Sequence, residues 1–316
     1  MSDNTYTQTN MSDMPSIDGD DEFEVLKEEL LPPVNEFKRF VKVFFKRKVV
    51  VFGFIVIVIV ILVALFADII APYGPNEQDL YNVLASPGGE HVLGTDSLGR
   101  DLLSRIIHGS RVALLVGVST VVISAALGAA IGLFAGYAEG LIQSLIMRTT
   151  DALMAIPSLI FSLLLVQALK GGVMAVVLAV AFTFIPGYVR LVNGQVMSLK
   201  QNDYVLATRS MGAKKTRIMY RHILPNCISP LIVQMTMMMG VAIMMEASLS
   251  FLGIGIKPPT ASWGEMCYSG YKYLLNQPLI SLTPGFAIML LVFSFNMIGD
   301  GLRDALDPKL RGTSSN

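Results

Sequence analysis

The chain has 316 residues, of which 53% are hydrophobic and 15% charged, and its mean hydropathy is +0.58. One soluble core cannot bury that much apolar surface, so the composition excludes a soluble globular protein and predicts one covered mostly by lipid. The formal net charge is zero, but ten acidic residues and one basic residue fall within positions 1–37. Because the charges are segregated along the chain, the zero net charge does not indicate which kind of partner the protein binds.

The segments before the first apolar run are polar and charged. Residues 1–37 predict an acidic, partly disordered cytoplasmic tail. Residues 38–48 interleave phenylalanine with Lys and Arg, which fits a basic amphipathic helix on an anionic membrane surface, and equally an extension of the first membrane helix. The first apolar run begins near residue 49 without a small-residue cleavage site, so we interpret it as a membrane helix rather than a removable signal peptide.

Six apolar runs follow, each close to the roughly 20 residues that a helix needs to cross hydrocarbon. They lie near 49–70, 112–135, 145–168, 173–194, 228–252 and 280–299. Basic residues precede the first run, fill the segment after the fourth and follow the sixth, so these segments face the cytoplasm by the positive-inside rule. The sequence predicts an all-α protein with six transmembrane helices and cytoplasmic N and C termini. Its parts are a membrane domain at 49–311 with an outer loop at 71–111 and a cytoplasmic loop at 197–226, and a tail at 312–316.

Small residues and prolines inside the runs predict how the helices pack and bend. Gly128, Gly132 and Gly136 form overlapping GxxxG spacings, which predict close approach of a neighbouring helix. Pro157 and Pro186 lie inside the third and fourth runs and predict bends there.

The cytoplasmic loop predicts two short helices. Asn202 or Asp203 would cap the first, Gly212 would end it in the left-handed conformation, and Pro225 would end the second before the next crossing. The first helix would offer an apolar knob to a groove in another protein. The knob comprises Tyr204, Ala207, Thr208 and Met211.

In this loop the sequence resembles the membrane permeases of binding-protein-dependent ABC importers. Their signature is Glu-Ala-Ala, three residues, Gly, nine residues, Ile, one residue, Leu, Pro; Gly212, Leu224 and Pro225 match it in register. Leu206, Thr208 and His222 replace the first Glu, the second Ala and the Ile of the signature. Further blocks resemble the C-type subunit of oligopeptide, dipeptide and nickel permeases, and the resemblance covers about residues 38–311. These blocks are Leu93–Asp101, Ser250–Gly255, Ser262–Gly264 and Gly299–Asp304 leading to Asp307 and Pro308.

The resemblance implies a type I ABC importer permease fold in a bacterial or archaeal cell membrane. The chain would form half of a translocation pathway for peptides, with a second homologous permease subunit, two ATPase subunits and an extracytoplasmic solute-binding protein; no nucleic-acid partner is expected. It would be no enzyme and bind no cofactor or metal, since ATP and Mg are used by the ATPase subunits and no GxxxxGK[ST] loop occurs. Nickel or another small solute stays open as cargo. The rival is an ion-driven secondary transporter, although we find no inverted repeat.

The resemblance also assigns roles to two groups of residues. The cytoplasmic loop would couple to the ATPase through Asp203, Tyr204, Ala207, Thr208, Arg209, Met211, Gly212, Ala213, Leu224 and Pro225. The outer region would face the binding protein or act as a gate, with a fold-stabilising cap as the alternative. Its candidates are Gly94, Asp96, Gly99, Arg100, Asp101 and Trp263.

Two acidic residues fall at or near membrane depth, where an unpaired charge costs at least about 2.5 kcal/mol. For Glu246 the alternatives are contact with a translocated peptide and a hydrogen bond between helices. Asp151 is predicted to pair with Arg148, three residues away on the same helical face. Met238 belongs to a methionine cluster that either lines a pathway or fills space between helices.

Overall fold

The computed structural model describes residues 36–138 and 140–306, and the regular elements in these ranges are helices. In chain order they are α1 (Glu36–Phe44), α2 (Lys48–Leu65), α3 (Ala67–Ile70), α4 (Leu102–Tyr137), α5 (Leu141–Met154), α6 (Ser158–Ala168), α7 (Val173–Leu199), α8 (Asp203–Ser210), α9 (Lys215–Ile218), a π-helical turn (Met219–Ile223), α10 (Leu224–Phe251), α11 (Trp263–Tyr271) and α12 (Leu279–Leu306).

Five of these helices are long and apolar enough to cross a membrane. They are α2, α4, α7, the continuous run Lys215–Phe251 and α12. A sixth crossing results if α5 and α6, which are bent by 93° at a short break, count as one span. The all-α membrane architecture predicted from the apolar runs is therefore confirmed.

The chain divides into two units, residues 1–42 and 43–316. Of the first unit the structure describes Glu36–Lys42, which form most of α1. Because α1 ends at Phe44 and a turn precedes the start of α2 at Lys48, α1 is a separate helix and not an extension of α2. The predicted acidic tail and C-terminal tail lie almost wholly outside the described residues.

The second span begins ten residues earlier than its apolar run. Asp101 caps α4, since its Oδ2 accepts hydrogen bonds from the backbone N–H and the Oγ of Ser104, both at 2.7 Å. The first three turns of α4 carry Arg105, His108 and Arg111, which lower the local hydropathy, so the apolar run does not include them. The loop between the first two spans therefore ends at residue 101 rather than 111.

The three prolines singled out in the sequence act differently. The third run breaks at Pro157, as predicted, whereas Pro186 lies inside an uninterrupted α7. The prediction that Pro225 ends a short helix is wrong, because the helix runs on from α9 into α10. There the Leu224 N–H donates to the Met219 carbonyl across the wider π-helical turn, and Pro225 directly follows that turn within the continuous helix.

Helix α4 packs most extensively against α7. A Cβ added at Gly128 would lie 2.4 Å from the Tyr188 Cβ, and one at Gly132 would lie 2.7 Å from the Val189 carbonyl oxygen. One at Gly136 would lie 2.6 Å from the Val196 side chain. The close approach predicted from the GxxxG spacings is thus confirmed.

The first and last spans meet at one end of the bundle. Arg47 Nη2 lies 2.9 Å from Asp304 Oδ2, and Val50 packs against Gly301 so closely that an added Cβ would lie 2.7 Å from its side chain. The chain therefore enters α2 and leaves α12 at the same end.

Candidate functional site

Helix α8 is short, exposed and anchored by one side chain. Val205 is only 3% exposed and inserts into a cluster built by α4, α7, α9, the π-helical turn and α10. The buried members of this cluster are Ala129, Leu133, Val192, Val196, Ile218, Ile223 and Cys227. Val205 was not predicted as an anchor because a helix of two turns is too short for its buried face to appear as a repeating apolar pattern. Val205 thereby connects α8 to α4, α7 and α10, three helices that are long and apolar enough to cross a membrane.

The opposite surface of α8 is open. Tyr204, Ala207 and the neighbouring Met211 are exposed, Met211 to 80%, and they form the apolar knob expected from the sequence. Thr208 is half-buried, and its Oγ1 donates to the Tyr204 carbonyl at 2.7 Å. Asp203, at the start of α8, is exposed as well, whereas the exposed Arg209 lies on the side of Val205 and Leu206. This surface is therefore free to contact another protein.

Gly212 ends α8 in the left-handed conformation, as predicted, with φ +81°. Its N–H donates to the Arg209 carbonyl at 3.0 Å, and the next N–H donates to the Thr208 carbonyl at 3.3 Å. The predicted side-chain cap at the start of α8 is absent: Asn202 occupies the capping position without a side-chain hydrogen bond. Because Asn202 is exposed, water can satisfy the first N–H groups of the helix.

The remaining residues predicted for coupling differ in exposure. Ala213 and Leu224 are half-buried and pack against the cluster that holds Val205. Pro225 is exposed at the start of α10. Ala213 and Leu224 therefore support α8 from within, whereas the apolar knob and Pro225 are open to another protein.

The outer block Gly94–Asp101 forms a buried node. The Asp96 Oδ1 accepts from the N–H groups of Leu98 and Arg100 at 2.8 and 3.0 Å, and its Oδ2 accepts from Arg100 Nε at 2.6 Å. The Asp101 Oδ1 lies 2.9 Å from His91 Nδ1. Gly94 and Gly99 adopt φ values of +82° and +72°, which give the block its two tight turns.

A buried arginine ties this node to α11. Arg105 is 1% exposed; its Nη2 donates to Glu265 Oε2 at 3.1 Å, its Nη1 donates to the Pro75 carbonyl at 2.9 Å, and its Nε lies 3.7 Å from Asp96 Oδ2. Burial raises the pKa of Glu265 against the opposing effect of Arg105. Beside it, the Trp263 Nε1 donates to the Ile106 carbonyl at 3.0 Å.

The outer candidates thus fall into one network in which Asp96, Arg100, Asp101 and Trp263 are buried. Their burial favours the fold-stabilising alternative over direct contact with another protein. Exposed apolar residues lie on the same segment, among them Leu80 and the fully exposed Tyr81. These two are better placed to meet a partner, and no motif marked them in the sequence.

Glu246 and Asp151, the two acidic residues singled out in the sequence, have partners. The Glu246 Oε1 accepts hydrogen bonds from Ser250 Oγ at 2.9 Å and from Ser262 Oγ, which caps α11, at 2.7 Å. The geometry therefore favours pairing between helices over contact with cargo. Asp151 pairs with Arg190, so the predicted pair with Arg148 is wrong: α5 packs along α7, which brings Arg190 within reach. Met238 is half-buried on α10, and its role stays a prediction.

Replacing Glu246 separates the two interpretations of that residue. We expect Glu246→Gln to keep an acceptor oxygen for both serines and to transport normally per folded molecule. Glu246→Leu leaves two buried hydroxyls without their acceptor and should destabilise the protein by about 1–3 kcal/mol. Thermal melting of the purified complex and uptake normalised to folded protein measure the two effects. A folded Glu246→Gln variant that binds its partners but no longer transports would instead assign Glu246 to the pathway.

Within 36–138 and 140–306, no group of three or more His, Cys, Asp or Glu side chains is placed to hold a metal ion. Cys227 and Cys267 are free thiols, and burial raises the pKa of Cys267 to about 11. The described site thus consists of an exposed helix, α8, anchored through Val205, and a buried outer node.

A multi-pass helical bundle with a short, firmly anchored helix between two crossings has the features of a membrane transport subunit. A family model described as the binding-protein-dependent transport system inner membrane component matches residues 128–312. A second, the N-terminal TM domain of oligopeptide transport permease C, matches residues 36–87. The chain belongs to this family of transport permeases, among the C-type subunits of its dipeptide and oligopeptide group.

Three curated relatives illustrate the similarity. The chain is 44% identical over 283 residues to the di/tripeptide transport system permease protein DppC of Pseudomonas aeruginosa, covering 88% of this chain and 93% of that one. It is 42% identical over 285 residues to the dipeptide transport system permease protein DppC of Haemophilus influenzae, covering 88% and 96%. It is 40% identical over 275 residues to the glutathione transport system permease protein GsiD of Pectobacterium atrosepticum, covering 87% and 91%.

A solved structure agrees with the fold. A chain of the MetNI methionine ABC transporter in an inward-facing conformation aligns with a TM-score of 0.53 at 16% identity. The alignment covers 65% of this chain and 98% of that chain. At this identity the likeness concerns the fold alone, which is that of an ABC importer permease.

Proposed function

We propose that the chain is the permease subunit of an ABC importer for short peptides and is driven by ATPase subunits that dock on α8. The observation that carries the proposal is the anchoring of an otherwise exposed helix through Val205. The names of the relatives specify dipeptides, di/tripeptides and glutathione, which supports short peptides as cargo. Nickel has no such support.

The proposed coupling is mechanical. An ATPase subunit that contacts Tyr204, Ala207 and Met211 moves α8 when the subunit binds or hydrolyses ATP. Because Val205 lies in the cluster formed with α4, α7 and α10, this movement shifts the ends of those spans and changes which side of the pathway is open. ATP and Mg belong to the ATPase subunits; this chain holds no cofactor and catalyses no reaction.

The proposed assembly contains two ATPase subunits, a second homologous permease subunit and an extracytoplasmic solute-binding protein. The chain supplies half of the pathway from a bacterial or archaeal cell membrane, with both termini in the cytoplasm. Support for the common side of the termini comes from the Arg47–Asp304 pair, and support for the side itself from the basic residues around Lys214.

Six crossings require that α5 and α6 together form one span. The contacts with α7 support this. Gln143 of α5 donates to the Met197 sulfur of α7, and Asn193 of α7 donates to the Met147 sulfur of α5. Ser162 of α6 is hydrogen-bonded to Thr183, nearer the start of α7. Positions that advance along α5 and α6 thus meet positions that recede along α7, so α5 and α6 both pack antiparallel to α7. These contacts support an even number of crossings.

Substitutions at Gly212 test the docking proposal. No atom lies within 4 Å of an added Cβ, so a side chain has room and only the left-handed backbone resists it. We expect Gly212→Val to spoil the turn and cut uptake of labelled dipeptide at least tenfold, because a β-branched residue strongly disfavours positive φ. Gly212→Asn, which tolerates this conformation, should keep most of the uptake.

The measurement combines uptake in cells with detergent pull-down of the ATPase at matched membrane abundance. Loss of both uptake and ATPase in the valine variant alone supports the proposal. If Gly212→Val still retains its ATPase and transports peptide, α8 is not the coupling element. Uptake that persists after deletion of the ATPases would favour an ion-driven transporter instead.

A further inference from the structure

A cavity of about 510 Å³ lies beside α8, on the side away from the exposed knob. Its walls come from the last residues of α4, the residues that follow α7, the inner side of α8 and the start of α9. The polar side chains of the lining are Tyr137, Lys200, Gln201, Arg209 and Lys215. The buried outer node and the knob on α8 take no part in it.

Three of these side chains are cationic, and the lining residues that the structure describes include no Asp or Glu. Lys200 Nζ donates to the Gly136 carbonyl at 3.3 Å, which holds the ammonium group at the cavity wall. Three cations around one space repel one another unless an anion shares it. The lining therefore selects for a ligand that carries negative charge and accepts several hydrogen bonds.

The position of the cavity indicates the source of that anion. Tyr137 ends α4 and Lys200 directly follows α7, so the cavity lies where two helices that are long and apolar enough to cross a membrane come to an end. Tyrosine at a helix end is typical of the headgroup region, and basic pockets between cytoplasmic helix ends bind anionic headgroups. Val205, Leu206 and Ile218 complete the wall with apolar surface that suits the glycerol and first methylenes of a lipid.

We propose that this cavity binds the phosphate headgroup of an anionic phospholipid. Lys200, Arg209 and Lys215 contact the phosphate, and because Arg209 belongs to α8 the bound lipid holds that helix against the ends of the spans. Lipid binding is independent of what the permease transports. Only its consequence, tighter coupling of ATP hydrolysis to transport, rests on the proposed function.

Native mass spectrometry of the complete transporter tests the site. The complex is reconstituted in phosphatidylcholine with added phosphatidylglycerol, and bound phosphatidylglycerol is counted for wild type and for Lys200→Gln/Lys215→Gln. We expect the affinity for phosphatidylglycerol to fall roughly 30-fold, since each lysine near an anionic surface contributes about fivefold. A matching melting temperature shows that the variant is folded.

The matched control is Arg217→Gln/Arg221→Gln, which removes two charges from the same segment outside the cavity. Under the proposal the control retains its bound lipid. Equal loss in both variants means nonspecific attraction to a basic surface and overturns the proposal. Unchanged lipid with loss of ATPase from Lys200→Gln/Lys215→Gln overturns it as well, since the cavity then receives an acidic side chain of the ATPase.

Competition with inorganic phosphate distinguishes a phospholipid headgroup from free phosphate as the ligand. Displacement of bound phosphatidylglycerol only at phosphate concentrations far above those in cells supports the lipid. Displacement at low concentration identifies free phosphate as the occupant and overturns the lipid assignment. Loss of transport in any of these variants leaves the lipid count readable, so failure of the transport proposal and of the lipid site can be told apart.

Discussion

Gly99→Ala should prevent the folded permease from accumulating in the membrane. A Cβ at this position would lie 2.0 Å from the Asp79 carbonyl oxygen and 2.7 Å from its carbon, and the backbone already has φ +72°. The clash cannot relax easily, because the Asp79 N–H donates to the Gly99 carbonyl at 2.9 Å and holds the two segments together. Left-handed strain and overpacking together predict a destabilisation of about 3 kcal/mol or more.

The measurement is the monodisperse fraction of a fluorescent fusion after solubilisation, followed by thermal melting of what can be purified. Gly89→Ala is the matched control, because Gly89 lies on the same outer segment and an added Cβ meets no atom within 4 Å. The control should stay within about 0.5 kcal/mol of wild type. A Gly99→Ala protein that melts like wild type would show that the turn at Gly99 has another conformation.

Arg105→Leu should be nearly as damaging, for an electrostatic reason. The substitution leaves the buried Glu265 without its cation and the Pro75 carbonyl without its donor, whereas Asp96 keeps Arg100. Removing one partner of a buried ion pair costs about 3–5 kcal/mol. The melting temperature of the purified complex should fall accordingly.

Arg111→Leu provides the comparison on the same helix. Arg111 pairs with Asp68 at 2.9 Å and donates to the Ala64 carbonyl at 2.6 Å, but the two charged side chains are 39% and 72% exposed, so the loss should be about 1–2 kcal/mol, below that of Arg105→Leu. The double variant Arg105→Leu/Glu265→Leu should recover part of the stability lost in Arg105→Leu, since no buried carboxylate is left unpaired. Equal effects of Arg105→Leu and Arg111→Leu would contradict the burial of the outer node.

Local patterns predicted the spans well, because hydropathy and the GxxxG spacings depend on neighbouring residues. They also located α8 and its left-handed end at Gly212. They failed where a contact joins distant parts of the chain. Arg105 and Glu265 are separated by 160 positions, and Asp151 and Arg190 by 39, and no local pattern reveals such partners. The early start of α4 was missed for the same reason, since its arginines resemble a loop until their acceptors are known.

The pairing of Arg105 with Glu265 has a consequence for biogenesis. The two residues are 160 positions apart, so at 5–20 residues per second the ribosome adds Glu265 about 10–30 s after Arg105. During that interval Glu265 has not been synthesised, and the nearby carboxylate already in the chain, Asp96, is shared with Arg100. The outer node therefore cannot close before Glu265 has been added, and until then water or lipid headgroups are the available partners for the rest of the Arg105 guanidinium.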